Sequence, residues 1–283
     1  VITHPTRRTF IAGVAATISI VSLAPRLARA ADDLHVAFVP EVATTPQSIA
    51  AKQPFIDWLE HASGRTVNLI VPTNYAATVE AIGNGSVDLA HFGGLAYLKA
   101  SERYRAQALV QRSEDRAFHS LFITSSPDVK TLADVRGKSF AFGDVLSTSG
   151  HLIPAKDLLA ANIDPDSDIQ ARFSGNHTNT AIAVNAGQVV AGALDETVYH
   201  KLVTDKTIDP QKARVFRTSE PFIDYTWATT QSLDPRFRAT LRDAFLGLHE
   251  TDVLQLLRAT KYVPSSDAEY ADLRATARTL HLL

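Results

Sequence analysis

From Leu34 onward, short runs of β-branched and aromatic residues alternate with stretches whose apolar positions recur every three to four residues. The runs predict strands at His35–Val39, Val67–Val71, Leu89–Phe92, Ser120–Thr124, Ser139–Phe142, Ala171–Ser174, Ala191–Leu194, Arg214–Arg217 and Trp227–Thr229. The helical spacing between them predicts helices at Pro46–Ala62, Tyr75–Asn84, Leu95–Arg103, Gly150–Ala161, Thr178–Ala186 and Glu196–Thr204. That order implies an α/β fold with a mostly parallel sheet. From Pro235 to the end the pattern reads as helices only, at Pro235–Leu248, Asp252–Thr260 and Asp267–Leu280.

The first thirty residues follow a different pattern. An apolar run from Phe10 to Ala24 lies among Arg7, Arg8, Arg26 and Arg29, with no acid, as in a secretory leader. The run is too short for the roughly 20 residues that span a bilayer. Small residues in Leu27-Ala28-Arg29-Ala30 place cleavage after Ala30, so residues 1–30 are expected to be a signal peptide. Thr6-Arg7-Arg8-Thr9-Phe10-Ile11 resembles the twin-arginine export signal; a general-secretion leader with two chance arginines is the alternative. The chain has 28 Lys+Arg, 30 Asp+Glu and a formal charge of −2, so removing four arginines and no acid leaves −6. An acidic mature chain disfavours nucleic acid and anionic membrane surfaces as partners. The expectation is an exported, soluble, periplasmic protein.

There is no Cys and no Met in 283 residues. This excludes disulfides, Cys-ligated metal centres, thiol nucleophiles and a lipid anchor on Cys. The ten histidines show no metal-ligand spacing, and neither a metal nor a cofactor is expected. Val1 reads as a GTG start translated literally, with the leader then complete. Freedom from sulfur would also suit a protein made during sulfur scarcity, which keeps a sulfur or selenium oxyanion open as a ligand.

In α/β sheets ligands sit beyond the carboxyl ends of strands, where helix N-termini present free N–H groups. The loop after Ser139–Phe142 carries Ser147, Thr148, Ser149 and Gly150, three hydroxyls at a helix entry that fit either an anion site or an ordinary cap. The loop after Phe173 carries Ser174-Gly175-Asn176-His177-Thr178; His177 is a candidate donor and Ser174 or Thr178 a candidate cap. Tyr75 opens a helix after a strand, and Gly93-Gly94 reads as a tight, permissive turn. Asp195 and Asp224 are candidates to accept a hydrogen bond from a protonated oxyanion or to pair with an ammonium; helix capping and turn formation are the alternatives. Tyr225 and Trp227 fit a cleft wall or the core. No G-x-S-x-G, phosphate-loop, G-x-G-x-x-G or H-E-x-x-H motif occurs, and Ser149, His177 and Asp195 make only a weak case for a triad.

These segments carry a resemblance. Asn74-Tyr75-Ala76-Ala77, His91-Phe92-Gly93-Gly94, Leu132-Ala133-Asp134-Val135-Arg136-Gly137-Lys138, Ser147-Thr148-Ser149-Gly150-His151, Phe173-Ser174-Gly175-Asn176-His177 and Asp224-Tyr225-Thr226-Trp227 keep their order and spacing over Thr44 to Leu283. The chain resembles the phosphate/phosphite/phosphonate substrate-binding proteins of ABC importers, including a branch of selenate or oxyanion binders. The resemblance implies a non-catalytic, two-lobed type II clamshell that traps its ligand in the cleft. Lobe one would comprise residues 31–118 and 218–283, and lobe two residues 119–217. It implies an anionic head held by Tyr75, Ser147, Thr148, Ser149 and His177, with Gly94 and Tyr225 alongside. Acids near Asp195, or Glu196 if the alignment slips by one, and Asp224 would meet a protonated oxygen or an ammonium. Phe118 stands where some members have a second tyrosine, which favours a small inorganic oxyanion over an aminoalkylphosphonate. The implied partners are an inner-membrane permease and a small oxyanion, bound by a monomer. Alternatives are a selenate or sulfur-oxyanion binder, a ligand-sensing subunit for a histidine kinase, and a Ser/His hydrolase.

Overall fold

The computed structural model describes residues 33–40 and 49–283; the leader-like segment and the predicted helix start at Pro46 lie outside them. The chain runs through β1 (Asp33–Phe38), α1 (Gln53–Ser63), β2 (Thr66–Ile70), α2 (Tyr75–Gly83), β3 (Leu89–Phe92), α3 (Gly94–Tyr104) and β4 (Gln107–Arg112). It then forms β5 (Ser120–Thr124), β6 (Ser139–Phe142), α4 (Ile153–Ala160), β7 (Gln170–Phe173), α5 (His177–Asn185), β8 (Ala191–Asp195), α6 (Glu196–Thr204) and β9 (Arg214–Thr218). It ends with β10 (Thr226–Thr229), α7 (Pro235–Leu246), α8 (Thr251–Leu256), β11 (Tyr262–Pro264) and α9 (Ala271–Thr279).

Two sheets result, a first of order β11-β4-β10-β3-β1-β2 and a second of order β7-β6-β8-β5-β9. Both are mixed, which corrects the expectation of a mostly parallel sheet. β1 runs parallel to β2 and β3, and β6 to β7 and β8. β10 is antiparallel to β3 and β4, β11 to β4, and β5 to β8 and β9. Helical crossovers return a chain in the same direction, whereas the segments from Arg112 to Ser120 and from Thr218 to Thr226 change sheet without an α-helix. This reversal has a functional consequence. Thr226 lies opposite Phe92, and Ser120 opposite Asp195, so the beginnings of β10 and β5 sit at the same edge as the carboxyl ends of β3 and β8.

Two strands escaped the sequence reading. β4, Gln-Ala-Leu-Val-Gln-Arg, has polar ends, and β11 is three residues inside a tail that reads as helical. The tail is therefore not helical throughout. The helix predicted from Gly150 begins at Ile153, after a π-helical turn over Thr148–Leu152 capped by the Ser147 side chain. Such wide turns shift side chains off the α-helical spacing.

Apolar clusters cover both faces of each sheet, so the inner strands read as apolar runs, whereas the edge strand β7 is exposed. In the first sheet Ala37, Phe92 and Tyr97 pack on one side, and Leu34, Val36, Phe55, Trp227 and Phe245 on the other. In the second, Ile123, Val184 and Leu194 pack on one face, and Phe122, Phe140 and Leu158 on the other. Among the described residues no helix is long and apolar enough to cross a membrane.

Candidate functional site

At the edge where these strand ends meet, His177 is the centre of a buried cage. Asn176 caps α5 by accepting the N–H of Asn179 at 2.8 Å, which makes His177 the first helical residue. The cap is thus Asn176, not Ser174 or Thr178. The main-chain N–H of Asp195 donates to His177 Nδ1 at 3.3 Å. That nitrogen must carry a lone pair, so the neutral ring bears its proton on Nε2. Nε2 lies 3.3 Å from the hydroxyl of Tyr75 and 3.3 Å from that of Tyr225. In that tautomer Nε2 donates and the phenol oxygens accept.

Tyr75 reaches this point from the N-terminus of α2, whose cap is Asn74. Tyr225 arrives from the opposite direction because β10 is antiparallel; its ring stacks on His91 at 5.1 Å and meets the edge of Phe118 at 5.6 Å. Gly150 permits the close approach. A Cβ there would stand 2.9 Å from Ser147 Oγ, 3.1 Å from His177 Cε1 and 3.2 Å from the Gly143 Cα.

Two carboxylates border the cage. Asp195 Oδ1 caps α6, accepting from Val198 N–H at 2.9 Å and the Thr197 hydroxyl at 2.7 Å, while its buried Oδ2 has no hydrogen-bond partner. Asp224 Oδ1 accepts the N–H of Gly94 at 2.8 Å, and its Oδ2 is likewise buried and unpartnered. Burial pushes the Asp224 carboxyl up to about 8, against the opposing hydrogen bonds from Gly94 and Thr148, and the charges of Asp115 and Asp195 add to the rise. At neutral pH this side chain is therefore mostly a neutral acid. With Oδ1 committed to an N–H, its proton belongs on Oδ2.

The three consecutive hydroxyls divide. Ser147 Oγ accepts the Gly150 N–H at 2.9 Å, so it is a cap; Thr148 Oγ1 accepts the Leu95 N–H at 3.0 Å, linking the π-turn to α3; Ser149 Oγ is buried without a partner. Gly93 and Gly94 both lack the positive φ that a permissive turn would use. A Cβ on Gly94 would meet Leu273 Cδ2 at 2.5 Å, Thr148 Oγ1 at 3.3 Å and the Asp224 carbonyl at 3.4 Å, so the glycine serves close packing and not a turn. The Glu196 carboxylate accepts the His119 main-chain N–H at 2.9 Å and lies 3.3 Å from its Nδ1. Trp227 belongs to the core of the first sheet. The His177 Nδ1 faces the main chain of Asp195 rather than its carboxylate, so Ser149, His177 and Asp195 do not form a relay.

Two groups were missed. Asp144 Oδ2 lies 3.5 Å from the Tyr75 N–H and burial raises its carboxyl. Arg112, the one buried arginine or lysine among the described residues, pairs through Nε and a terminal nitrogen with Asp115 at 2.8 and 2.5 Å behind Tyr225. The i,i+3 spacing of Arg112 and Asp115 was the available signal. Among the described residues no cluster of three His, Asp or Glu could hold a metal ion. A cavity of about 370 Å³ is lined among others by Lys52, Thr178, Val198, Lys201 and Arg258. It contains none of the converging groups.

A family model described as "ABC transporter, phosphonate, periplasmic substrate-binding protein" matches residues 38–270. The chain is 28% identical over 253 residues to a phosphate-import protein of Mycolicibacterium smegmatis, covering 80% of this chain and 79% of that protein. It is 26% identical over 234 residues to a probable ABC transporter phosphite binding protein of Prochlorococcus marinus, covering 76% and 79%. The solved structure of PhnD1 from Prochlorococcus marinus with methylphosphonate superposes with a TM-score of 0.81 at 24% identity, over 89% of this chain and 99% of that one. That likeness establishes the expected two-lobed periplasmic binding fold.

Proposed function

Because the chain belongs to the family of phosphonate periplasmic substrate-binding proteins of ABC transporters, we propose that it captures a singly protonated phosphorus oxyanion in the His177 cage and delivers it, without turnover, to a membrane permease. The class of ligand is that of phosphite, phosphate or a short phosphonate, as named for its relatives. One observation carries the reading: on residues that adjoin the His177 cage, three buried atoms, Ser149 Oγ, Asp195 Oδ2 and Asp224 Oδ2, lack protein partners. Buried polar atoms without partners are costly. A ligand that satisfies all of them must accept several hydrogen bonds and give at least one.

The proposed roles follow from proton positions. Tyr75, Tyr225 and Ser149 donate to anionic oxygens, and Asp224 donates from its protonated Oδ2. Asp195 Oδ2 then accepts the ligand's O–H. Sulfate and selenate carry no proton near neutral pH and would set an oxygen against Asp195 with nothing between them. Among the described residues the polar groups gathered around His177 are hydroxyls, carboxyls and main-chain N–H groups, so the anion would be bound through oriented neutral donors. Export through the twin-arginine pattern of residues 6–11 is part of the same reading.

The test is a panel of phosphite, phosphate, methylphosphonate, 2-aminoethylphosphonate, sulfate, selenate and arsenate, read by thermal shift and calorimetry. At 100 times its Kd a ligand should add about 2.7 kcal/mol of stability. Stabilisation by phosphite, phosphate or methylphosphonate, with no product formed, is expected. Stabilisation by sulfate or selenate with none by a phosphorus anion overturns the reading.

A further inference from the structure

Arg112 and Asp115 lie where the chain leaves the first sheet, and the return path runs beside them. Besides its two bonds to Asp115, the Arg112 guanidinium donates to the Leu257 carbonyl at 3.4 Å, and the Arg112 main-chain N–H donates to Asp115 Oδ2 at 3.1 Å. The carboxylate of Asp115 therefore closes a short 3-10 turn over Ser113–Ala117. The Asp115 carbonyl accepts the main-chain N–H of Asp224 at 2.9 Å. Three residues further on, Phe118 and Phe222 exchange N–H···O bonds of 2.8 and 2.9 Å. The outgoing and returning connections are thus tied together at Asp224 and two residues before it. The guanidinium carbon also stands 5.2 Å from the Tyr225 ring centre and 5.8 Å from that of Phe118.

Resting on the capture reading above, we propose that Arg112 is a positioning residue: with Asp115 it holds the returning segment so that the Tyr225 hydroxyl and the Asp224 carboxyl are presented, preformed, to the anion. Arg112 does not attract the ligand by charge, because that charge is matched by Asp115 at hydrogen-bond distance. Its fork geometry matters instead. A bidentate pair fixes the turn, the cation against the aromatic faces fixes the rings, and the turn fixes the main chain that carries Asp224. Lysine offers a point charge without the fork.

The experiment separates this role from plain stabilisation. Replacing both partners by apolar residues of similar size often leaves the stability of a buried ion pair unharmed, whereas removing one partner does not. Parent, Arg112→Lys and the double variant Arg112→Met/Asp115→Leu are compared by circular dichroism melting and by calorimetric titration with phosphite, phosphate and methylphosphonate. The titrations are run at a temperature where each protein is folded. The double variant is expected to melt within a few degrees of the parent yet bind the preferred anion at least 10-fold more weakly. Arg112→Lys should bind about 3- to 10-fold more weakly. Parent-like affinity in either folded variant overturns the proposal, and if the double variant does not fold the lysine variant decides alone. A parent that binds none of the three anions would instead remove the capture reading.

Discussion

Asp224 shows how one buried group sets a pH dependence. Its carboxyl rises to about 8 first through burial, so the folded protein holds this proton more tightly than the unfolded chain. The stability it contributes is fully present below the ordinary aspartate value near 4 and is lost as pH rises through about 8. Other buried or paired acids titrate too: Asp144 is raised by burial, whereas hydrogen bonds from Lys130 and Thr131 hold Asp134 down. The comparison of parent with Asp224→Asn isolates the one group. The variant should lose the decline in melting temperature between pH 5 and 8 that the parent shows beyond its other groups. An amide also keeps a donor where the proposed ligand sits, so neutral-pH affinity should stay within about threefold. A difference in melting temperature that is flat with pH would show that Asp224 is ionised throughout. Asp195→Asn tests the opposite role: a new donor replaces the acceptor, so binding of phosphite should weaken and discrimination against sulfate should shrink, read as the ratio of their Kd values.

Among the elements, the turn from Ser147 to Leu152 carries the densest constraint. Its backbone passes so near His177 that Gly150 has no room for a methyl. Gly150→Ala should cost about 1–3 kcal/mol in urea unfolding, the usual range for overpacking, and should weaken anion binding at least 10-fold by displacing the ring. Parent-like affinity would mean that the turn yields without moving His177. The sequence disclosed most of this neighbourhood, since Ser147, Thr148, Ser149, His177, Asp195 and Asp224 all stand at strand ends where α/β sheets place ligands. What it withheld were the directions. A hydroxyl-rich helix entry reads the same whether a hydroxyl caps the turn, as Ser147 does, crosses to α3, as Thr148 does, or stays unpartnered, as Ser149 does. Nor does alternation of strand and helix register a reversal of direction, because β10 and β5 become antiparallel only through connections that change sheet. Arg112 was passed over for a related reason: its i,i+3 spacing to Asp115 hints at a pair, but a charged residue at the end of a strand is ordinarily solvated, and only tertiary packing puts it behind Tyr225.

Across the whole molecule, polar contacts join the two sheets, and Thr148 makes one that the proposed ligand would depend on. Its Oγ1 accepts the Leu95 N–H at 3.0 Å from α3, which packs on the first sheet, while its own backbone belongs to the turn after β6 in the second. The Thr148 hydroxyl also favours the ionised form of Asp224. Thr148→Val keeps the shape and removes both bonds, leaving a buried N–H unpaired. Such a loss costs about 1–3 kcal/mol, but only in the arrangement where Leu95 and Thr148 are together. If the sheets separate when the ligand leaves, the penalty falls on the closed form alone. The variant should then unfold at nearly the parent's urea midpoint without ligand, bind phosphite roughly 5- to 100-fold more weakly, and give a larger radius of gyration by X-ray scattering at sub-saturating phosphite. An equal loss of stability with and without ligand, at unchanged affinity, would mean that the two sheets stay in contact through the binding cycle.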